Sequence, residues 1–273
     1  MKKPEVTIIL TNYNYENYVR SAIKSIIEQD YKGQLNLVIV DDGSTDRSQE
    51  LIDYEFFADE DSYETKETNQ SFYSGKISME ETVIDSVNLL FITTENRGAS
   101  VARNVGINYG LRKFPKTKII GIIDADDEYY ANKVSRLVEK LMEHKEIGVA
   151  YSDYDILKTY DDKFYTKREH KEPYSALGLR NKCIVSSGSL VKVEFLKKVA
   201  KEKEYYNPKL HGPKSEGFIG CTEDYDLWLR LSNHCIMVHV PETLSLAKEH
   251  GDNQSLQMTP EIFQQNAQII MGG

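Results

Sequence analysis

Val6-Thr7-Ile8-Ile9-Leu10, followed at once by Thr11-Asn12-Tyr13-Asn14, is the stretch on which the fold turns. The apolar, β-branched run does not alternate, and a parallel strand covered on both faces need not. Outward from it, Val19, Ala22, Ile23, Ile26 and Ile27 recur at helical spacing, with Arg20, Lys24 and Glu28 facing away. Residues 35–40 repeat the strand pattern and stop at Asp41-Asp42-Gly43-Ser44. Ser44-Thr45-Asp46 then supplies N-cap chemistry for a helix through Leu51 and Ile52. Two successive strand–helix units predict an α/β fold with a right-handed, mostly parallel central sheet flanked by helices.

The rhythm returns further along. Leu89-Leu90-Phe91-Ile92 reads as a strand that leads through Asn96-Arg97-Gly98 into a helix with Val101, Ala102, Val105 and Gly106. Residues 119–123 form a fully apolar strand ending in Asp124-Ala125-Asp126-Asp127. An amphipathic helix with Val134, Leu137, Val138, Leu141 and Met142 on one stripe follows. Residues 149–152 and 183–191 look like strands, and 222–231 like a short helix capped by Thr222. Between about 53 and 86 the chain is rich in Asp, Glu, Ser and Thr and includes Asp59-Glu60-Asp61, which predicts a long, partly mobile surface insertion.

Composition narrows the function classes. Of 273 residues, 40% are hydrophobic and 28% charged, which describes a globular chain and excludes a disordered or fibrous one. Lys and Arg total 34 against 43 Asp and Glu, a net charge of −9 that argues against a general grip on nucleic acid or an anionic bilayer. No apolar run approaches the roughly 20 residues of a transmembrane segment. Met1-Lys2-Lys3-Pro4-Glu5 lacks a signal peptide's long apolar stretch. Cys183, Cys221 and Cys235 have no CxxC spacing, so a disulfide framework or zinc cage is not suggested and a reducing, cytoplasmic location is expected.

Open α/β sheets bind ligands outside the C-terminal ends of their strands. Thr11-Asn12-Tyr13, Asp41-Asp42, residues 96–103 and 124–127 should therefore converge on one cleft. Three carboxylates in Asp124-Ala125-Asp126-Asp127 repel one another unless a cation compensates, and hard oxygen ligands suit Mg²⁺ or Mn²⁺. One Asp would suffice to cap the helix that follows. Asp41-Asp42-Gly43-Ser44 reads either as a turn and cap or as a carboxylate that accepts from a nucleobase imide. Tyr13 reads either as core edge or as a platform for a flat base. Arg97, Arg103 and Asn104 surround a Gly-containing helix start, which suits phosphate or surface ion pairs. Glu223 and Asp224 read as capping acids or as a general base, and His250 as a solvated side chain or as a further metal or phosphate ligand. Neither GxGxxG nor GxxxxGK[ST] occurs.

In this order, Thr11-Asn12-Tyr13-Asn14, Val40-Asp41-Asp42-Gly43-Ser44-Thr45-Asp46, Asn96-Arg97-Gly98 with Ala102-Arg103-Asn104-Val105-Gly106, Asp124-Ala125-Asp126-Asp127 and Glu223-Asp224-Tyr225-Asp226-Leu227-Trp228 resemble the family 2 inverting glycosyltransferases of the GT-A fold. The resemblance spans nearly the whole chain. It implies one GT-A domain over 1–273: a nucleotide-sugar-binding half at 1–127 with the insertion about 53–86, an acceptor-binding half at 128–258, and a tail at 259–273. It further implies that Thr11, Asn12, Tyr13, Asp41, Asn96, Arg103, Asp124 and Ala125 bind the nucleotide. Within that set Tyr13 would stack on the base, Asp41 bind its edge, Arg103 lie near the nucleotide and Asp124 near the ribose. Asp126, Asp127 and His250 would hold Mn²⁺ or Mg²⁺. Asp224 would be the catalytic base with Glu223 its neighbour. The segment at His250 departs from the family pattern, since Lys248 stands two residues before it where an Arg is common.

The implied activity is metal-dependent inverting transfer from a nucleotide-sugar donor, a UDP-sugar, to a saccharide, lipid-linked or protein acceptor hydroxyl. Two alternatives share the acids: a nucleotide-sugar-binding protein without transferase activity, and a phosphohydrolase or nucleotidyltransferase. The first would not need both Asp126 and Asp224. The second would place its acids, or a Gly-rich basic loop, after the first strand, where Thr11-Asn12-Tyr13-Asn14 stands. Ser186-Ser187-Gly188-Ser189 and residues 211–220 are expected near the acceptor. Ile262, Phe263, Ala267 and Ile270 recur at helical spacing and predict a tail that packs on the body or on the twin subunit of a homodimer.

Overall fold

A computed structural model describes residues 2–58, 64–70, 72–160, 163–210, 222–250, 253, 266 and 270. Asp59-Glu60-Asp61, residues 211–220, Cys221 and most of the tail, with Ile262, Phe263 and Ala267, lie outside them. In chain order the elements are β1 (Glu5–Asn12), α1 (Val19–Ile27), β2 (Leu35–Asp41), α2 (Ser48–Ile52), β3 (Glu64–Gln70), β4 (Tyr73–Ile84), β5 (Val87–Thr94), α3 (Ala99–Lys113), β6 (Thr117–Asp124) and β7 (Glu128–Tyr129). They continue as α4 (Lys133–Glu143), β8 (Ile147–Tyr160), β9 (Lys163–Glu169), α5 (Ala176–Asn181), β10 (Leu190–Lys192), α6 (Val193–Val199), α7 (Glu223–Leu231) and β11 (Ile236–Glu249).

One sheet joins them in the order β3-β4-β5-β2-β1-β6-β10-β8-β11-β7, with β9 paired to β8. Its centre, β5-β2-β1-β6, is parallel. Antiparallel pairs flank that centre, at β4·β5 on one side and at β6·β10 and β10·β8 on the other. Register aligns the polar tips: Asn12 lies opposite Asp41, Thr11 opposite Asp124, and Asp41 opposite Thr93. From β1 the chain first moves outward to β2 and β5, then returns to add β6 on the other side. That reversal opens a crevice beyond the tips of β1 and β6.

Two apolar layers cover the sheet. Val19, Ala22, Ile23 and Ile26 of α1 and Val134, Leu137 and Leu141 of α4 bury one face. Val105 of α3, Leu196 of α6 and Leu227 with Trp228 of α7 bury the other. α3 sits close because Gly106 has no side chain: a Cβ there would overlap Ile9 Cγ2 and lie 3.0 Å from Val40 Cγ2.

Three expectations are corrected. Much of the insertion is sheet: β3 and β4 form an antiparallel pair, and β4 runs along β5 from Ile77↔Thr94 to Ile84↔Val87. The composition concealed this because a pair at the sheet margin keeps one wet face and needs few aliphatic residues. Phe56, Phe57, Phe72, Tyr73 and Ile77 supply the buried side. Of residues 183–191, only Leu190 and Val191 are strand; the rest forms a loop. Thr222 precedes α7 but makes no side-chain capping bond. No helix among the described residues is long and apolar enough to cross a membrane.

Candidate active site

The loops after β1 and β2 are tied together by their own polar groups. Asn12 Nδ2 donates to Asp41 Oδ2 at 2.6 Å and to Ser44 Oγ at 3.1 Å. Asn14, at φ 59°, accepts from the Thr45 backbone N–H at 2.7 Å. Asp41 itself is fully buried and also accepts from Ser44 N–H at 2.8 Å and Gln49 Nε2 at 2.6 Å, so its carboxylate faces inward. Its neighbour Asp42 faces the crevice. Asp42 accepts from the backbone N–H groups of Arg97 (2.9 Å) and Gly98 (2.7 Å), fixing the turn that starts α3. Burial pushes Asp42 up to about 7, against the pull of those two donors.

Across the crevice, Arg103 of α3 joins tips that lie far apart in sequence. Its guanidinium is 3% exposed and donates from Nη2 to Asp124 Oδ1 at 2.8 Å and from Nη1 to Glu223 Oε1 at 2.5 Å. Thr11 Oγ1 donates to the same Asp124 oxygen at 3.3 Å. Asp224, the next residue on α7, is partly buried. Burial raises its carboxyl to about 7; Arg103 opposes the shift while Glu223 and Asp124 add to it.

Asp126 Oδ2 accepts from Asn253 Nδ2 at 3.1 Å and lies 3.2 Å from His250 Nε2. The His250 ring stacks on Tyr18 with centroids 4.7 Å apart. Burial raises the Asp126 carboxyl, with Asp124 adding to the shift; burial likewise raises Asp127 well above its ordinary range, with Asp126 and Asp124 adding. Beneath them lies Lys133, fully buried, its Nζ 2.9 Å from Ser245 Oγ and 4.3 Å from the centre of the Tyr129 ring. Burial lowers that ammonium to about 7 while Asp127 holds it up. Among the described residues no group of three or more His, Cys, Asp or Glu side chains converges to hold a metal ion unaided. A carboxylate with an adjacent imidazole nonetheless fits Mn²⁺ or Mg²⁺ whose remaining positions are filled by substrate phosphates.

These groups border one cavity of about 560 Å³, a size that suits a small organic ligand. Thr11, Asn12, Tyr13, Asn96, Arg103, Asp124, Asp126, Asp127, Glu223 and Asp224 all line it. Asp41 and Ala125 do not: both are fully buried, with Ala125 N–H donating to Thr11 O at 3.1 Å. His250 stands behind Asp126, reaching the wall through that carboxylate. Ser186, Ser187 and Gly188 line the opposite side with Tyr154, Lys171 and Cys183. Sequence reasoning brought Asp41-Asp42 to the cleft but gave the nucleotide role to Asp41 where Asp42 lines it, and it missed Lys171 and Asn253 as lining residues and Lys133 as a buried cation. Doubled Asp41-Asp42 was a usable signal, because alternation on a strand end sends neighbours to opposite sides.

The glycosyl transferase family 2 model matches residues 7–200, which carry all of these strand tips. The chain belongs to glycosyl transferase family 2. Glycosyltransferase GlyA of Streptococcus pneumoniae serotype 4 is 30% identical over 59% of the chain. The minor teichoic acid biosynthesis protein GgaA of Bacillus subtilis is 26% identical over 53%. The matched segments make up only 18% and 26% of those relatives' lengths. The fold is that of S. aureus TarS 1-349 in complex with UDP-GlcNAc, at a TM-score of 0.66, 16% identity, and 97% of this chain against 65% of the other. Mannosyltransferase PcManGT from Pyrobaculum calidifontis, in complex with GDP-Man and Mn²⁺, matches at 0.55 and 17% identity, over 94% of this chain and 60% of the other. The family 2 member described here is thus a GT-A α/β protein whose acidic strand tips share one cleft.

Proposed function

We propose that the chain is an inverting, metal-dependent glycosyltransferase that moves a sugar from a UDP-sugar to an acceptor hydroxyl, with Asp224 as general base. The observation that carries this reading is that Arg103 joins Asp124 of the nucleotide side to Glu223 beside Asp224 across a single cavity. Tyr13, 38% exposed at the rim, offers a face for the base. Asp42 rather than Asp41 is the carboxylate within reach of the base edge, because Asp42 borders the cavity while also accepting from Arg97 and Gly98 N–H, whereas Asp41 is turned inward onto Asn12, Ser44 and Gln49. Donors bound by TarS and PcManGT support a nucleotide sugar. GgaA's place in minor teichoic acid biosynthesis accords with an acceptor on a surface polysaccharide.

Asp126 with His250 would hold a divalent cation, Asp127 supporting from beneath. When bound, that cation supplies charge neutralisation for the departing diphosphate. The protein's own groups do the rest. The acceptor oxygen attacks C1 from the face opposite the nucleotide as its proton passes to Asp224. The C1–O bond to the diphosphate breaks, and the electron pair leaves with the phosphate. One displacement inverts the anomeric centre. A base whose carboxyl sits near 7 is matched to proton uptake at neutral pH, an effect worth about 10²–10⁴-fold.

Release of UDP from a panel of UDP-sugars with saccharide acceptors, in Mn²⁺, tests the reading. Asp224→Asn should bind UDP as the wild type does and lose at least about 100-fold in transfer. Near-normal turnover in that variant would remove Asp224 from the mechanism.

A further inference from the structure

Tyr206 is 1% exposed, in the segment between α6 and α7. Its phenol lies beside Asp224, where it favours the ionised carboxyl. Among the described residues neither the Tyr206 hydroxyl nor Asp224 Oδ1 has a hydrogen-bond partner, and both atoms are buried. Two buried polar atoms left unsatisfied side by side are costly and call for a reason.

The ring is fixed independently of that hydroxyl. Two successive residues of α3 hold it: the Arg103 guanidinium lies 5.3 Å from the ring centre, and Asn104 clamps the backbone. Asn104 Oδ1 accepts from the N–H groups of Tyr205 and Tyr206, each at 2.9 Å, and Nδ2 donates to Tyr206 O at 2.8 Å. Asn108, one turn on, donates to Lys203 O at 2.8 Å. The phenol is therefore aimed by the backbone.

Other groups that face Asp224 are already engaged. From α3, Arg103 is bound to Asp124 of β6 and to Glu223 of the same helix as Asp224. From β7, the Tyr129 hydroxyl donates to Ile122 O at 2.7 Å. From the loop before β10, Cys183 Sγ lies 3.4 Å from Val185 O. Among the described residues Arg103 Nε is also without a partner, but both of its Nη atoms are committed and fix its direction, so Tyr206 is the rotatable donor left to Asp224.

We propose that Tyr206 is a positioning residue for Asp224: its phenol O–H holds Oδ1 and thereby turns Oδ2 toward the acceptor hydroxyl. The assignment rests on Asp224 being the general base. Tyr206→Phe keeps the ring on Arg103 and deletes only the oxygen. The full chain, labelled with ¹³C at the aspartate carboxyls, gives an Asp224 resonance identified by its loss in Asp224→Asn. In Tyr206→Phe its titration midpoint should rise by about one pH unit, because a donor to the charged form is lost. The acid limb of sugar transfer should move up equally, with kcat falling about tenfold and donor KM held. If the variant does not fold, replacing all tyrosines by 3-fluorotyrosine strengthens the donor and should lower the midpoint. A folded Tyr206→Phe with unmoved midpoint and limb, or a midpoint indifferent to fluorination, overturns the assignment. The titration needs no turnover, so a wild type inactive on every donor would sink the transferase reading and leave this result to stand or fall by itself.

Discussion

Arg103→Met removes the charge that links three carboxylates and keeps an unbranched side chain of comparable length. Of its two direct partners, Asp124 is 32% exposed on its side chain and regains water, whereas the Glu223 side chain is 4% exposed and cannot. The loss is thus dominated by α7, where Glu223 and Asp224 stay crowded without the Arg103 guanidinium. Breaking one side of a buried pair costs about 3–5 kcal/mol. For a chain of this size that corresponds to a fall of roughly 10 °C in Tm. The pH dependence has a definite sign. Asp224 already titrates near 7 when folded, raised above its unfolded value, so ionising it opposes folding. That penalty is absent below the unfolded value and complete above the folded one. Without Arg103 the carboxyl rises further, so the deficit of the variant should be larger at pH 8 than at pH 5. Urea unfolding at both pH values measures it, and Glu223→Gln added to Arg103→Met should restore about 1–3 kcal/mol as coupling. A variant within about 1 kcal/mol of wild type, with equal deficits at both pH values, would show that Arg103 is not what holds α7 to the tip of β6.

Two further outcomes follow from contacts elsewhere. Asp126→Ala should abolish the enhancement of UDP binding by Mn²⁺ in a calorimetric titration; an unchanged enhancement would move the cation site away from Asp126 and His250. Gly106→Ala should destabilise by about 1–2 kcal/mol, since overlap with Ile9 Cγ2 outweighs the gain of about 1 kcal/mol in helix propensity. Gly110→Ala, whose Cβ would meet Val38 Cγ2 at 3.1 Å, is the control and should be near neutral in the same unfolding assay.

The central strands were legible because they are buried on both faces, and such strands are written as nearly continuous apolar runs: Val6 to Leu10 with only Thr7 polar, Leu37 to Val40, Ile119 to Ile123. Their polar ends told where the cleft lies, since the parallel register sets Asn12 level with Asp41 and Thr11 level with Asp124. The β3–β4 pair was illegible for the opposite reason, because a strand wet on one face mixes Thr, Ser and Glu with its few buried residues. Lys133 escaped notice because nothing in a single charged residue on an amphipathic helix says that it points inward. Only packing against Tyr129 and Gly188 reveals it: a Cβ on Gly188 would come within 2.8 Å of Nζ. Tyr206 was equally silent, as its place depends on Asn104, 102 residues away.

The charges around the cleft explain why these acids belong together. Carboxylates of Asp42, Asp124, Asp126, Asp127, Glu223, Asp224 and Glu249 border it, against the cations of Arg103, Lys171 and Lys248. Arg103 is committed to Asp124 and Glu223, and Lys248 to Glu128 at 2.5 Å. A nucleoside diphosphate entering alone would meet a wall of its own sign, and in a partly desolvated cleft that repulsion is stronger than in water. Joined to a divalent cation, the same diphosphate arrives with its charge largely neutralised, and the carboxylates at the tip of β6 become attractive. On the proposed donor, the acid-rich tip would therefore select for the ion pair over the free anion, and the same excess of negative charge would favour departure of the diphosphate once its bond to the sugar had broken.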